Sequence, residues 1–533
     1  MLQPAPARTH PKRLENLLVK MTTADKTPTS TMTKAQAVNK ERLYTFTPLP
    51  PSRNGIADYA YASISGLSEY YNITAFCNNF FAEPPKGVQL INEQFAFECL
   101  PQNAKVIHQI GNNPDHTFVL RAALRHPGIV VLHDPRILYL YQTAGISNQY
   151  IYDLMVSSNR FATRCPSAAR GNGTGIQRVD HLMYDGLAEV LQTARAIVVH
   201  SNYSRQLICS HHGRELAEKI VVIPHFAYAP EKRSRAAARD ILDLPQNAFI
   251  VVTAGFPHPR KRYEWLIEAL DHLIQYNSRP VIWIQAGEMR NDEVPLRLAL
   301  DRYPSVREIL QVTGYLSENE LDTYIAASDA LVNLRFPSDG ESSGSLARAF
   351  GAGVCCLISD TAAFRELPQD VAVKIPYIGA PEAISAALME LSTNSALRDT
   401  FGNCAAHYAE TELSMDLYIA RFRKVLEALD ECQIEKRGGF GTSVTRIPFD
   451  HILAPRLLRD AIANKAEGVE IVLGPIPANQ DAGPLLIALL PECMDAQHIR
   501  IRAATVERAT GKAKYEIAFR LCWRPELRHK VGH

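Results

Sequence analysis

FIVVTAGFPHPRKRYEWLIEALDHLI, residues 249–274, decides the fold. Its opening run is apolar or β-branched at nearly every position, which suits a strand covered on both faces rather than one with a wet side. A short loop follows, and then an amphipathic helix from Lys261 to about Asn277, with Trp265, Leu266, Leu270, Leu273 and Ile274 at helical spacing. A buried strand feeding directly into a helix is the repeating unit of a doubly wound parallel sheet.

The same rhythm extends in both directions. Toward the C-terminus come VIWIQAGE, a helix near 293–303, ILQVTG, and SENELDTYIAASD, whose Ser317 and Glu320 match a capping box. ALVNLR, the helix SLARAFGAG, the strands VCCLISD and VAVKIP, and a helix at about 414–430 complete this half. Toward the N-terminus the pattern reads LYTFTPL, the helix-like GIADYAYASISGLSEYY, VIHQIG, a helix around 115–126, IVVLHD, AIVVHS, a helix from Asn202, and KIVVIP. The fold class is therefore α/β, with two doubly wound domains, 41–226 and 227–435, joined near Pro224–Pro230. Residues 1–40 read as a disordered tail, too poor in large apolar side chains to repay ordering. Residues 436–533 read as a small α+β or β extension to which the sequence assigns no role. In it GGFGTS forms a linker, and HIRIRAATVE and KYEIAFRLCW form a hairpin through ERATGKAK.

Composition narrows the function. With 46% hydrophobic and 21% charged residues the chain is not mainly disordered, and a net charge of +1 gives no global field for nucleic acid or an anionic membrane. No stretch approaches the ~20 apolar residues of a membrane span, and the N-terminus lacks the apolar core of a secretory signal. Ten cysteines without any CxxC pair point to reduced thiols in a cytosolic protein and to no metal site. Residues 1–42 carry eight Lys or Arg against three acids. That excess suits a solvated arm, and would also allow peripheral contact with the inner face of a membrane.

Chemistry is expected where each strand ends, in the cleft between the domains. TPLPPSRNGIADY brings Asn54 and Gly55 to a helix start, where backbone N–H groups meet a ligand closely. IVVLHDPR sets His133 and Asp134 directly after a buried strand. His200 and His225, also at strand ends, read as structural. Arg260–Lys261–Arg262 stand at a helix start, where the macrodipole does not favour cations unless an anion binds there too. The sharpest feature is LRFPSDGESSGSLARAFGAG, residues 334–353. Its small residues at Ser342, Ser343, Gly344 and Ser345 expose consecutive N–H groups and hydroxyls at a helix N-terminus, suiting a diphosphate. Glu341 beside them suits sugar hydroxyls, which carboxylates accept well.

Taken together, PLPPSRNGIADY, VVLHD, VVHSNYS, IPH, the PRKR segment, VTGYLSENELDTYIAASDALVNLR, GESSGS and ISDTAAFRELP resemble the retaining glycosyltransferases of family 4. The resemblance runs from about Tyr44 to Phe422 and implies the GT-B architecture of two Rossmann-like domains facing across a cleft. It implies a nucleoside diphosphate sugar as donor, UDP- or GDP-linked, a hydroxyl of a glycan or lipid-linked acceptor, and no metal or other cofactor. Polysaccharide or lipopolysaccharide biosynthesis would be the setting. By position, Gly55 would lie near the donor phosphate and acceptor, and His133 would contact the transferred sugar. Lys261 and Ser343 to Ser345 would hold the diphosphate, and Gly314 with Tyr315 would border the base. The departures are specific. The family's two glutamates, separated by seven residues, are replaced by Gly340 and Arg348, with Glu341 one position off. The arginine that commonly precedes the lysine is missing from GFPHP, leaving Arg260 as its candidate substitute. An inactive GT-B scaffold, or a GT-B enzyme of another reaction such as a nucleotide-sugar epimerase, is the alternative.

Overall fold

The computed structural model describes residues 40–435, apart from 102–103, 147–150, 152–153, 156–177 and 290–293, and four strands beyond them. The tail, the GGFGTS linker and nearly all of the 157–178 loop lie outside the described residues.

The first sheet has seven parallel strands: β1 (Arg42–Phe46), β2 (Asn72–Cys77), β3 (Gln89–Asn92), β4 (Val106–Ile110), β5 (Ile129–Leu132), β6 (Ala196–Val199) and β7 (Ile220–Val222). They lie in the order β3-β2-β1-β4-β5-β6-β7. The second has six: β8 (Phe249–Ala254), β9 (Val281–Ala286), β10 (Leu310–Val312), β11 (Ala330–Asn333), β12 (Cys356–Ser359) and β13 (Val373–Ile375), in the order β10-β9-β8-β11-β12-β13. Both orders reverse direction once, between β1 and β4 and between β8 and β11. These are the points where a doubly wound sheet opens a crevice.

Alternation explains the apolar runs. Phe249, Val251, Trp283, Ala330 and Val332 belong to the core on one face of the second sheet. Ile250, Val252, Ile284 and Leu331 belong to the core on the other. Helices cover both, including Tyr263–Tyr276, Ala380–Thr393 and Ser395–Glu412. The last two escaped the sequence reading, as did β2 and β3. NITAFC mixes Asn and Thr into its run, and QLIN is a four-residue edge strand whose side chains are only partly covered.

The helix Met415–Glu435, placed by sequence with the second domain, returns to the first. Tyr418 Oη lies 2.8 Å from Tyr59 Oη on the helix Gly55–Ser68. Ile419 packs on Gly66, where an added Cβ would stand 3.0 Å from its Cδ1, and Arg423 lies over the Tyr70 ring at 4.2 Å. The separate C-terminal unit carries a four-stranded sheet, β14 (Thr445–Ile447), β15 (Glu470–Pro477), β16 (Ile499–Arg508) and β17 (Lys514–Trp523), in the order β14-β15-β17-β16. β16 and β17 pair antiparallel, as the hairpin reading expects.

One close approach tests the packing. A Cβ at Gly402, inside the helix Ser395–Glu412, would lie 2.2 Å from the Gly353 carbonyl oxygen. Helix propensity alone favours Gly402→Ala by about 1 kcal/mol. The backbone contact cannot yield as a flexible side chain would, so overpacking wins and the variant should lose about 1–3 kcal/mol in urea unfolding.

Candidate active site

The loops after β8 and β11 flank the switch point of the second sheet. After β8, residues Pro259–Lys261 form a 3-10 turn, and the Lys261 ammonium donates to the Ala254 carbonyl at 2.7 Å. After β11, Ser343 caps the helix Gly344–Gly351, its Oγ accepting from Leu346 N at 3.3 Å. The same Oγ lies 3.2 Å from Asn333 Oδ1 and 3.2 Å from Ser345 Oγ. This turn is the helix entry that the small residues imply. Phe336 N donates to Arg260 O at 2.8 Å and ties the two loops together. Glu341 is turned inward, accepting from Asp339 N at 2.8 Å and Ser338 Oγ at 3.0 Å, with Arg335 Nε 3.6 Å away. It shapes the loop.

The first domain brings Gly55 and His133 to the cleft. Asn54 caps the helix Gly55–Ser68, its Oδ1 accepting from Ala57 N at 2.8 Å, and nothing lies within 4 Å of a Cβ placed at Gly55. That surface is open to a ligand. His133, by contrast, is enclosed. Its Nε2 lies 2.8 Å from Gln109 Oε1 and its Nδ1 3.3 Å from His200 Nε2, while His200 Nδ1 lies 2.9 Å from Ile223 O. A carbonyl only accepts, so neutral His200 is protonated on Nδ1, and by the same rule neutral His133 donates from Nε2 to Gln109 Oε1. Tyr59 sits edge-on to this pair at 4.6 and 5.5 Å. Burial holds the His133 pKa well below its usual value and takes His200 down to about 4. At neutral pH the pair is uncharged.

Several contacts close the domains on one another. Glu366 accepts from the backbone N–H of Asn202, at 2.9 Å, and of Tyr203, at the start of the helix Asn202–His212. Ser204 Oγ donates to Gly340 O at 2.9 Å. Gly340 has φ +93°, and a Cβ there would stand 2.7 Å from the Tyr203 ring. The Arg53 guanidinium lies over Tyr315 at 4.5 Å, beside the Gly314 turn. The two oxygens of Asp339 are shared between Arg136 of the first domain and Arg260 of the second. A cavity of about 250 Å³ is lined by His200, Asn202 and His225 on one side and by Ser342, Ser343 and Glu366 on the other.

Arg348, at the second glutamate position, stacks on Tyr228 at 3.8 Å and pairs with Glu318 at 2.5 Å and Asp322 at 3.1 Å. The structure therefore places Lys261, Glu341 and the Ser342–Ser345 turn at the second sheet's strand ends, and Gly55 and His133 beyond the strand ends of the first. It adds Arg136 and Asp339, which the sequence reading did not choose. The only local signal for Arg136 was its place two residues beyond Asp134 at a strand end. Asp134 itself is buried and accepts from Asn112 N at 2.8 Å, and burial raises its pKa to about 6. Among the described residues no group of three or more His, Cys, Asp or Glu could hold a metal ion, and no helix is long and apolar enough to cross a membrane.

Residues 248–394 match the protein family described as glycosyl transferases group 1. No curated protein matches the chain by sequence. Among solved structures, Anabaena Alr3699/HepE in complex with UDP and glucose is similar at 15% identity over 73% of this chain and 100% of that one, with a TM-score of 0.53. Sucrose-phosphate synthase from Thermosynechococcus elongatus is similar at 16% identity over 74% and 100%, TM-score 0.53. The alpha,alpha-trehalose 6-phosphate synthase from Burkholderia multivorans reaches 11% over 75% and 99%, TM-score 0.52. The fold is the two-domain Rossmann-like arrangement of GT-B glycosyltransferases. Its second domain carries the group 1 signature.

The buried histidines set a pH dependence. His200 and His116 fall to about 4 in the folded chain, so unfolding releases groups that bind protons near pH 6.5. Their neutral burial stabilises the fold above pH 6.5, and that contribution is lost as pH falls toward 4. Each histidine should remove about 2 kcal/mol between pH 6.5 and 5. His200→Asn should flatten the slope of unfolding free energy against pH by about one proton; an unchanged slope would show that His200 does not titrate in this window.

Proposed function

We propose that the protein is a retaining glycosyltransferase that moves a hexose from a UDP- or GDP-linked sugar to a hydroxyl of a glycan or glycolipid acceptor. The observation that carries this reading is the placement of Lys261 and the Ser343 helix entry on either side of the β8–β11 switch point. A diphosphate set between them meets a cation, backbone N–H groups of a helix start and serine hydroxyls. Such preorganised donors stabilise charge that builds on a leaving group without reorganising during the reaction. No metal is needed for that step in this reading.

Retention follows if the acceptor hydroxyl attacks from the face the diphosphate leaves, its proton passing to the departing phosphate oxygen. His133 borders the sugar as a positioning group. Its Nε2 is held by Gln109 and its ring is enclosed by His200 and Tyr59, so it shapes the wall and moves no proton. Glu341 orders the loop that carries the Ser342–Ser345 turn, and Gly55 leaves the opposite wall open. Gly314 and Tyr315 border the base. The contacts that draw the domains together would exclude water and so limit donor hydrolysis. Peripheral contact with the inner face of a membrane, through the basic tail, fits a lipid-linked acceptor.

A second reading, a GT-B scaffold without activity, takes its support from Arg348. Its guanidinium is committed to Glu318, Asp322 and Tyr228. A thermal-shift panel of UDP- and GDP-sugars separates the two. At least one donor should raise Tm, and no shift with any of them decides for the scaffold. Lys261→Ala should cut transfer by about a hundredfold or more while leaving the circular dichroism unchanged. Unaltered turnover removes the lysine from the mechanism.

A further inference from the structure

Asp339 joins two arginines that come from different domains. Around that carboxylate Arg335 faces Glu341, and Asp134 stands close by. The side chains of Asp339 and Arg136 are only 8% and 16% exposed, so these charges stand in a partly dried cleft where their interactions are strong. Arg136 also keeps a buried Nε without a hydrogen-bond partner among the described residues. A guanidinium with a spare donor suits a ligand that offers more acceptor oxygens than a carboxylate does.

The loop is built so that the carboxylate can leave without unravelling the turn. The Asp339 backbone N–H is held by Glu341, the Gly340 N–H by Ser338 Oγ at 3.1 Å, and the Gly340 carbonyl by Ser204. Only the Asp339 side chain enters the arginine pair. One side-chain rotation frees both guanidinium groups.

We propose that Arg136 and Arg260 form a phosphate-binding subsite and that Asp339 is its exchangeable internal counter-ion. A phosphate presents the same two-oxygen edge as a carboxylate, with a third oxygen for the unpaired Nε and more negative charge. It displaces Asp339 and takes over the link between the domains, so binding and interdomain contact become one event. The proposal rests on the glycosyltransferase reading, and the phosphate has two sources: the donor's diphosphate, or a phosphate ester on the acceptor.

Calorimetry with inorganic pyrophosphate, UDP and glucose 6-phosphate tests it on the full chain and on Arg136→Gln, Asp339→Asn and the double variant. Removing the competing carboxylate should tighten binding of at least one probe by about fivefold to tenfold. Arg136→Gln should weaken the same probe about tenfold or more and cancel the gain in the double variant. A response with UDP and pyrophosphate identifies the donor's diphosphate. A response with glucose 6-phosphate alone identifies a phosphorylated acceptor. If Asp339→Asn fails to fold, the loss in Arg136→Gln carries the test by itself. With folded variants, unchanged affinity for all three probes, or weaker binding in Asp339→Asn, overturns the subsite. Lys261→Ala in the same titrations speaks to the donor site separately: UDP binding that survives it counts against the proposed function and leaves the Arg136 result standing.

Discussion

A parallel strand covered on both faces has no room for a charged side chain except at its ends. That constraint governs the molecule. The interiors of β8, β9 and β11 supply two apolar cores, and the polar chemistry is displaced to the loops beyond their carboxyl ends. Because each sheet reverses its winding once, those loops part at the reversal and leave a crevice. Two such sheets packed with their crevices toward one another concentrate arginines, a lysine, carboxylates and serines in a small volume, with the strands themselves contributing almost none of them.

The seam between the domains follows the same logic. A helix start with unpaired N–H groups at Asn202 and Tyr203 is matched by a carboxylate from the other domain, Glu366. The histidines at the ends of β5 and β6 are held by Gln109 and a backbone carbonyl, remain neutral, and are walled in by Tyr59. Glu366, Ser204 and Asp339 each make a contact across the seam, so the two domains determine each other's local geometry.

The fold was legible because its signal is local. Six apolar residues in a row followed by a helical stripe suffice to identify one βα unit, and repetition does the rest. Lys261 and the Ser342–Ser345 turn were legible for the same reason, since each lies within a few residues of the strand that positions it. Arg136 and Asp339 were not. They meet across 203 residues of sequence, and neither has a local environment that distinguishes it from an ordinary loop charge. His133 was found, yet its enclosure by Gln109 and His200 was hidden, because those partners sit on neighbouring strands whose register no periodicity records. The two missed strands mark the opposite limit: NITAFC and QLIN are short and partly polar, and they become strands through pairing with β1 and with each other.

The return of Met415–Glu435 to the first domain bears on how the chain is made. The Tyr59 hydroxyl finds its partner in Tyr418, 359 residues later, and Gly66 is packed by Ile419. During synthesis the first domain's last strand emerges almost two hundred residues before the helix that seals it, so an apolar stripe on Gly55–Ser68 waits uncovered while the second domain is translated. The first domain is not a contiguous segment that can be excised at the Pro224–Pro230 junction. A fragment ending there would lack its own lid, and the two halves reach their final form together.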